Sequence, residues 1–178
     1  MALSTPELLS AGHDLASFDC GQPSLNAWLR ERALANQDRG FTVVIVVHEE
    51  GRVVGYYGLA PTGVEARAVP RKIRTGQPPD PLPCLLLGQL AVDRGYQGRG
   101  LGDALVGHAL ERGVLGAELT GGRALLVNAI DEDAVKFWRS WGFISSPSDP
   151  FQLFRSLPDI RASLQAAGRL SRNQTRSA

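Results

Sequence analysis

One short stretch, residues 97–102 with the sequence QGRGLG, constrains the fold of this chain more than any other, because it separates an apolar run from a helical pattern. Alternate glycines permit backbone angles that other residues avoid, and they let a ligand approach the main chain closely. The N–H groups of the following helical turn have no partner inside the helix and lie at the positive end of its dipole. The stretch therefore predicts a strand, a loop and a helix that bind a pyrophosphate group, with Arg94 and Arg99 adding charge at the rim.

The same stretch also has a simpler interpretation, a glycine-rich turn without a ligand. Two standard phosphate-binding motifs do not fit it. No Gly-Lys-Ser/Thr sequence follows, which excludes the triphosphate-binding loop. The glycines lack the G-x-G-x-x-G spacing and the preceding strand comes late in the chain, which disfavours a dinucleotide-binding fold.

Hydrophobic patterning predicts the elements around this loop. Apolar residues at helical spacing predict a helix over 24–39, with Ser24 as its N-cap and Gly40 as its stop. The Pro- and Arg-rich residues 66–83 are predicted to be a loop. The other predicted elements are strands over 41–47, 53–59, 84–92 and 124–130, helices from the glycine loop to position 115 and over 132–141, and short strands at 143–144 and 151–154. This order predicts one mixed α/β domain with helices on both faces of a central sheet.

Length and composition limit the class of protein. The chain has 178 residues, of which 43% are hydrophobic and 21% charged, and this excludes a disordered chain, a collagen and a coiled coil. We expect a single domain over 1–157 and a basic C-terminal tail over 158–178. No apolar run reaches the roughly 20 residues that span a bilayer, so we expect no membrane association. Cys20 and Cys84 fit no disulfide or metal-binding pattern, which predicts free thiols, no metal and a cytoplasmic location.

Two motifs together resemble the GNAT acetyltransferases. The family's acetyl-CoA motif, Gln/Arg-x-x-Gly-x-Gly/Ala at a strand–helix junction, corresponds to Gln97, Gly100 and Gly102. A second signature, Ala-x-x-Phe-Tyr-x-x-x-Gly-Phe, corresponds to residues 134–143, with the sequence AVKFWRSWGF. The resemblance covers residues 7–157 and implies the GNAT fold, in which a mixed, mostly antiparallel sheet splays at the acetyl-CoA site.

Further matches narrow the resemblance to the GNAT toxins of bacterial toxin–antitoxin modules. They are residues 18–21 (FDCG), 55–57 (GYY), 86–93 (LLGQLAVD) and 146–147 (SP), together with Leu25, Trp28 and Leu29. This resemblance implies that the chain acetylates the α-amino group of aminoacyl-tRNA, which blocks translation. It also implies a homodimer and a ribbon-helix-helix antitoxin as a partner.

The resemblance further implies a site for acetyl-CoA, the co-substrate. The pantetheine arm would pair with the strand that ends at Val92, and Asn128 and Phe137 would line the thioester end. Core packing is the alternative role of the apolar residues, whereas the amide of Asn128 needs a partner if it is buried. The implied acetyl-CoA residues are Leu90, Ala91, Val92, Gln97, Gly98, Arg99, Gly100, Leu101, Gly102, Asn128 and Phe137, and those implied at the reacting atoms are Leu90, Asn128 and Trp138.

The side chains of the strand that would bind the thioester indicate which kind of amine accepts the acetyl group. An amine attacks a thioester only when it is neutral, and an α-amino group has a pKa near 8, against about 10.4 for lysine. An α-amine therefore needs no strong general base. The run over 84–92 carries no carboxylate, and Gln89 is its only polar side chain beyond Cys84, which favours an α-amine. Main-chain N–H groups of this strand would stabilise the oxyanion.

Trp138 departs from the signature, which has a tyrosine that protonates or positions the departing thiolate. Indole donates a hydrogen bond but is not an acid near neutral pH. Three alternatives follow: water or a hydroxyl of Tyr56, Tyr57 or Ser140 substitutes, the thiolate leaves unaided, or the toxin is attenuated. A simpler interpretation is that Trp138 only packs on the CoA arm. The alternatives to a tRNA-acetylating toxin are a GNAT enzyme for a protein N-terminus or a small amine, and a non-catalytic acetyl-CoA-binding protein.

Positive charge is concentrated locally. The net charge of +1 includes four arginines after position 160, without which residues 1–160 carry −3. A group of cations in the loop before the 84–92 strand predicts the RNA-binding surface, with a solvated face as its alternative. These residues are Arg67, Arg71, Lys72 and Arg74; a second group, Arg30, Arg32 and Arg39, is diluted by Glu31 and Asp38.

Overall fold

The β-branched and apolar runs of the sequence form the strands of one seven-stranded sheet. The structure is a computed structural model that describes residues 2–170. The strands are β1 Glu7–Leu8, β2 Val43–Glu49, β3 Arg52–Val64, β4 Leu82–Val92, β5 Ala124–Asn128, β6 Ile144–Ser145 and β7 Gln152–Ser156. They lie in the order β1-β2-β3-β4-β5-β7-β6. The pairs β1–β2, β2–β3, β5–β7 and β6–β7 are antiparallel and β4–β5 is parallel, which confirms the mixed, mostly antiparallel sheet. The splay of this sheet stays a prediction.

The described chain has five α-helices, four of them between strands and the fifth after β7. They are α1 Pro23–Trp28, α2 Leu34–Asp38, α3 Leu101–Thr120, α4 Glu132–Ser140 and α5 Leu157–Ala166. A π-helical turn over Leu29–Ala33 joins α1 to α2, which confirms the helix predicted over 24–39. The N-cap is Gln22 and not Ser24, because Pro23 occupies the first turn, where a missing N–H costs no hydrogen bond. Gly40, with a φ of 78°, follows the helix where a stop was predicted.

The first of two compact units comprises residues 2–60 and Leu87–Ala109. Tyr56 is fully buried in its core, where its ring stacks on Trp28 at a centroid distance of 5.9 Å. The edge strand β1 pairs with β2, and Glu7 lies opposite Val46. The sequence did not predict β1, because two residues are too few to show an alternating pattern. The core residues are Leu9, Phe18, Leu29, Ala33, Val44, Val46, Val53, Tyr56 and Ala91.

The second unit comprises Pro61–Leu86 and, within the described chain, residues 110–170. Its core residues are Val64, Val69, Ile73, Leu82, Cys84, Ala124, Leu126 and Phe154. Helix α5 was not predicted, although Ser156 caps it by accepting a hydrogen bond from the Asp159 N–H and a proline lies in its first turn. Ile160 and Leu164 of α5 are buried. The domain boundary at 157 stays a prediction, but the chain is helical from Leu157 to Ala166, over residues assigned to the tail.

The described helices are also informative about membranes. Within residues 2–170, none of them combines the length and the apolar character that crossing a bilayer requires.

Candidate active site

The glycine loop follows β4, and Asp93 fixes its start. The carboxylate of Asp93 is buried and accepts the N–H of Asp19 at 3.0 Å, while the Asp19 carbonyl accepts the N–H of Arg94 at 2.8 Å. The carboxylate of Asp19 accepts hydrogen bonds from the Gly21 N–H and the Asn26 amide, both at 2.9 Å. These two bonds, that of Gly21 first, hold the pKa of Asp19 below its ordinary value. The motif over 18–21 is thus a support for the start of the glycine loop.

Gln97 is the first residue of the loop, and its side chain hydrogen-bonds to main-chain carbonyls. The amide Nε2 donates to the carbonyls of Val92 at 2.9 Å and Cys20 at 3.1 Å. Because this amide is committed to the protein, the ligand group that Gln97 can offer an anion is its main-chain N–H. The sequence assigned Gln97 to the acetyl-CoA site without distinguishing these two roles.

Gly98 and Gly100 have backbone conformations that other residues rarely adopt, with φ values of 74° and 82°. A Cβ at either position would meet nothing within 4 Å, so the backbone angle and not crowding requires glycine. Gly102 lies in the first turn of α3, where a Cβ would make an ordinary contact with Val92 at 3.9 Å. The loop therefore has the conformation and the open approach that main-chain anion binding needs.

The first turn of α3 packs closely on β3 because Gly55 has no side chain. A Cβ at Gly55 would lie 2.9 Å from Leu105 Cδ1 and 3.3 Å from Leu101 Cδ2. Both leucines are buried. Gly55 therefore sets how closely the N-terminal turn of α3, with its unpaired N–H groups, approaches the sheet.

A cleft of about 260 Å³ borders the loop beside Arg99. The Arg99 guanidinium lies 5.2 Å from the centroid of the Tyr96 ring, within the range of a cation–π contact. The Tyr96 hydroxyl donates to Glu49, and this bond raises the pKa of Tyr96. The cleft is lined by Leu3, Glu49, Tyr96, Arg99, Gly100, Leu101 and Ala104. Arg99 thus stands at the rim of the loop as an exposed cation.

Leu90, Ala91 and Val92 continue β4 to the loop. Ala91 is buried in the core of the first unit, whereas Leu90 and Val92 are half-buried. Gln89, just before them, has a φ of 49° within the strand, a left-handed conformation of the kind found in β-bulges. A bulge leaves a residue outside regular strand pairing and redirects its neighbours. Sequence reasoning missed this feature, because the run CLLLGQLAV shows only strand propensity; the adjacent Gly88 is the single hint.

Asn128 lies in the second unit, at the end of β5. Four buried residues precede it, and its own side chain is exposed. The Asn128 amide is therefore not a buried group that requires a partner inside the protein, and it is accessible to a ligand.

Trp138 and Phe137 lie together on α4 of the second unit. Trp138 is 7% exposed and packs edge-on against Phe137 and Phe143, at centroid distances of 5.1 and 5.3 Å. Helix α4 begins at an N-cap, Asp131, whose carboxylate accepts the Ala134 N–H at 2.8 Å. The indole is therefore part of the aromatic packing of this unit, and Phe137 is half-buried beside it.

The three hydroxyls considered as substitutes for a tyrosine at 138 are all engaged. Tyr56 and Ser140 donate to main-chain carbonyls at 2.8 and 2.5 Å. Burial raises the pKa of Tyr56 far above its ordinary value, so this phenol is a poor acid. Tyr57 is buried and its hydroxyl lies 2.8 Å from His108 Nδ1.

The basic segment, residues 66–75, carries all four predicted RNA-binding cations. Arg67 is ion-paired with Glu65 at 2.7 Å, and Arg74 is half-buried with Nη1 3.4 Å from a main-chain carbonyl. Arg71 and Lys72 are exposed and make no ion pair within the described chain. Arg74 also makes no ion pair within the described chain, so the uncompensated cations of the segment are Arg71, Lys72 and Arg74, of which Arg71 and Lys72 are the exposed ones.

The arginines after position 160 differ from these two cations. Arg161 pairs with Glu118, and Arg169 Nε lies 2.6 Å from a carboxylate oxygen of Glu111. Both acids belong to α3, so the described part of the basic C-terminal stretch is largely neutralised. Arg172 and Arg176 lie outside the described residues.

A separate cluster of titratable side chains lies in the first unit. Glu7 Oε1 is 2.8 Å from His13 Nε2 and 3.1 Å from His48 Nε2. The two Nδ1 atoms accept the main-chain N–H groups of Ser10 and Gly51, each at 3.0 Å. Both rings therefore carry their proton on Nε2 and donate it to Glu7. A metal at Nε2 would move these protons onto nitrogens that face N–H donors, so the geometry fits hydrogen bonding and not metal binding.

Both cysteines are free thiols, as predicted. Cys84 is buried, which raises its pKa to about 11, and Cys20 is half-buried with its pKa also raised by burial. Neither is a reactive thiolate near neutral pH.

Comparison with known proteins gives a family and several relatives. The acetyltransferase (GNAT) domain matches residues 40–145. The tRNA-acetylating toxin of Mycobacterium tuberculosis (strain ATCC 25618 / H37Rv) is 43% identical over 159 residues, which cover 89% of this chain and 95% of that protein.

Solved structures share the fold. AtaT complexed with acetyl-methionyl-tRNAfMet has a TM-score of 0.83 and 31% identity, covering 92% of this chain and 99% of that chain. A mutant AtaT toxin bound to the C-terminus of the antitoxin AtaR and acetyl-CoA has a TM-score of 0.78 and 30% identity, covering 93% and 99%. The KacTA–DNA complex has a TM-score of 0.77 and 27% identity, with the same coverage of 93% and 99%.

Proposed function

The chain belongs to the GNAT acetyltransferases, and from this membership we propose that it is a toxin that acetylates the α-amino group of aminoacyl-tRNA. It is an acyltransferase, and acetyl-CoA is the proposed acetyl donor. The 43% identity to a tRNA-acetylating toxin supports the choice of acceptor. Blocking that amino group stops the aminoacyl-tRNA from forming a peptide bond, which arrests translation.

The observation that carries this proposal is the glycine loop at the N-terminus of α3. Gly98 and Gly100 have positive φ, open space lies above both, and Gly55 lets α3 pack closely on β3. The unpaired N–H groups of the first turn of α3, with Arg99 nearby, suit a pyrophosphate. In the proposed complex, Leu90, Ala91 and Val92 bind the pantetheine arm through their main chain. Asn128 and Phe137 are the residues that the family resemblance assigns to the thioester end.

The proposed reaction proceeds without an acid or a base from the protein, although slowly. The neutral α-amine attacks the thioester carbonyl carbon, the carbon–sulfur bond breaks, and the nitrogen gives up a proton to water. A thiol with a pKa near 8.5 gives a fair leaving group without a proton donor. Main-chain N–H groups beside Gln89, whose φ is 49°, are the proposed donors to the oxyanion. Trp138 supplies no proton, so we expect slow but detectable turnover.

Partners follow from the same proposal. We infer a homodimer and a ribbon-helix-helix antitoxin in the cytoplasm, and the AtaT–AtaR complex supports a toxin–antitoxin pair. Arg71 and Lys72 of the basic segment are the proposed main contacts to tRNA phosphates, with Arg67 and Arg74 beside them.

A second candidate function is an attenuated acetyl-CoA-binding protein. It is favoured by the burial of Trp138 and by the engagement of the hydroxyls of Tyr56, Tyr57 and Ser140. Acetylation of a protein N-terminus or a small amine is the third possibility, because any neutral amine suits the same chemistry.

One labelling experiment separates these functions. The purified chain is incubated with radiolabelled acetyl-CoA and bulk charged tRNA, with deacylated tRNA as the matched control. We expect label on charged tRNA only, released by mild alkali as the N-acetyl amino acid. Label on protein or polyamine instead would establish the third function. Acetyl-CoA binding without any transfer would establish the second.

A further inference from the structure

The tip of the basic segment lies between two buried anchors. Val69 and Ile73 are 0% and 4% exposed and belong to the core of the second unit. Between them, the Ile73 N–H bonds to the Pro70 carbonyl at 2.9 Å and closes a turn that presents Arg71 and Lys72. The free positive charge of the segment thus stands on a short turn that is fixed on both sides.

Arg123, fifty residues further along the chain, fixes the end of this turn. Its Nε donates to the Ile73 carbonyl at 2.8 Å and its Nη2 donates to Thr75 Oγ1 at 2.7 Å. The main chain of Arg123 is itself held, because its N–H donates to the Pro83 carbonyl and its carbonyl accepts the Leu157 N–H, at 2.8 and 3.0 Å. The planar guanidinium, with two donors in fixed directions, therefore holds the segment by its main chain and a side chain together.

Ser146 fixes the start of the segment. It is 6% exposed, and its hydroxyl donates to the Ala68 carbonyl at 2.6 Å. The Ser146 N–H donates to the Gln152 carbonyl at 2.7 Å, which ties the serine to β7. In the sequence Ser146 was only part of a family match, with no role attached to it.

The charges around the segment leave its tip uncompensated. Glu65 is paired with Arg67, and the Asp80 carboxylate accepts the Ala66 N–H at 3.1 Å, so both acids lie at the start of the segment. Arg123 makes no ion pair within residues 2–170, so its positive charge adds to that of the tip.

We propose that Arg123 and Ser146 are positioning residues that hold Arg71 and Lys72 ready for the phosphates of tRNA. This inference rests on the proposed function and deepens it. When a flexible loop becomes ordered on binding, its loss of conformational entropy weakens the affinity. A loop that is already fixed in the free protein does not have this cost. Ser146 is buried and therefore affects tRNA affinity without touching tRNA. Arg123 affects tRNA affinity through its hydrogen bonds to the segment.

Ser146→Ala tests the inference, because it removes the hydrogen bond to the Ala68 carbonyl, together with the contacts of the same hydroxyl to Ser148, and no charge. We expect tRNA affinity to fall about fivefold, the equivalent of one hydrogen bond, with acetyl-CoA affinity unchanged. The slope of log K against log salt also falls in magnitude, since fewer phosphate contacts form. Ser146→Thr keeps the hydroxyl and restores both values. Ser24→Ala, at an exposed serine of α1 whose side chain makes no hydrogen bond within residues 2–170, is the control and leaves both values unchanged.

Arg123→Lys provides a second arm, because it keeps the charge and loses the two-pronged contact. We expect a loss of tRNA affinity similar to that of Ser146→Ala. Unchanged tRNA affinity in both variants would overturn this inference alone, and so would an equal loss of acetyl-CoA affinity, which indicates a purely structural role. A wild-type chain that shows no salt-dependent tRNA binding would overturn the proposed function and this inference with it.

Discussion

At position 138 an indole occupies the place that a phenol has in the family signature, and the structure shows its ring 7% exposed against Phe137 and Phe143. Packing explains why an aromatic residue is there. It does not replace the lost hydroxyl, because an indole N–H does not release a proton near neutral pH. The engaged hydroxyls of Tyr56 and Ser140 do not replace it either.

Trp138→Tyr should therefore raise the rate of acetylation. A positioned general acid typically contributes 10²–10⁴-fold, so we expect an increase of about 100-fold in kcat, measured by transfer of labelled acetyl to charged tRNA. Trp138→Phe, which changes the ring without adding a hydroxyl, is the matched control and gives no increase. A tyrosine variant no faster than wild type would show that no acid is missing.

At the scale of elements, the contact of α3 with β3 determines where the glycine loop lies. Gly55→Ala places a methyl group 2.9 Å from Leu105 Cδ1 between buried side chains. We expect a loss of about 1–3 kcal/mol in the free energy of unfolding and weaker acetyl-CoA binding, measured by urea denaturation and calorimetry.

The control for this prediction lies in the same helix. A Cβ at Gly116 of α3 would make an ordinary contact with Leu85 at 3.6 Å. Gly116→Ala should therefore be neutral or stabilising by up to about 1 kcal/mol, because alanine is the better helix former. Equal effects of the two substitutions would contradict the close packing at Gly55.

Glu7 connects the edge strand β1 to its neighbours in the first unit, because its carboxylate accepts hydrogen bonds from Nε2 of His13 and of His48. The His13 hydrogen bond, followed by that of His48, holds the pKa of Glu7 below its ordinary value of 4.5. A carboxylate with a lowered pKa contributes stability that is present above that ordinary value and is lost as the pH falls through the lowered one.

Glu7→Gln should remove this contribution. We expect the variant to be less stable than wild type at pH 7 and the difference to shrink below pH 4.5, measured by urea denaturation across pH. Glu31→Gln, at an exposed carboxylate of the first helical segment, is the control and should leave the pH profile unchanged. A difference that stays constant with pH would show that the charge of Glu7 is not involved.

For the whole molecule, net charge is a poor guide to RNA binding. The total of +1 includes arginines that α3 neutralises and cations such as Arg67 that have their own carboxylate. The exposed cations of the basic segment that have no carboxylate partner within the described chain are Arg71 and Lys72. A small cationic tip fixed by its surroundings suits a phosphate backbone better than the same charge spread over the surface.

Reversal of both charges, Arg71→Glu with Lys72→Glu, should weaken tRNA binding by at least about tenfold and reduce the salt slope by about two, with acetyl-CoA affinity unchanged. Filter binding across salt concentrations measures this effect. Arg32→Glu with Arg39→Glu makes the same change in net charge at exposed positions of the first helical segment and is the matched control. Equal effects of the two double variants would mean that total charge or the second cation group accounts for binding, and either result would contradict the special role of Arg71 and Lys72.

The sequence alone determined the family, the order of most elements and the glycine loop, because these depend on local patterns. Alternation and helical spacing reveal strands and helices, and alternate glycines reveal a conformation that other residues rarely adopt. Helix α5 also had a local signal that the prediction did not use. This signal is the N-cap at Ser156 followed by a proline in the first turn. By contrast, β1 is too short to leave such a pattern.

Only the tertiary structure decided which side chains act on a ligand and which act on the protein. The sequence assigned Gln97 to acetyl-CoA and gave Asp19 and Ser146 no role beyond a family match, yet the side chain of each bonds to other residues of the protein. The ion pairs of Arg161 and Arg169 join positions more than forty residues apart. The physical reason is that hydrogen bonds and ion pairs depend on distance in space, which the sequence specifies only through the completed fold.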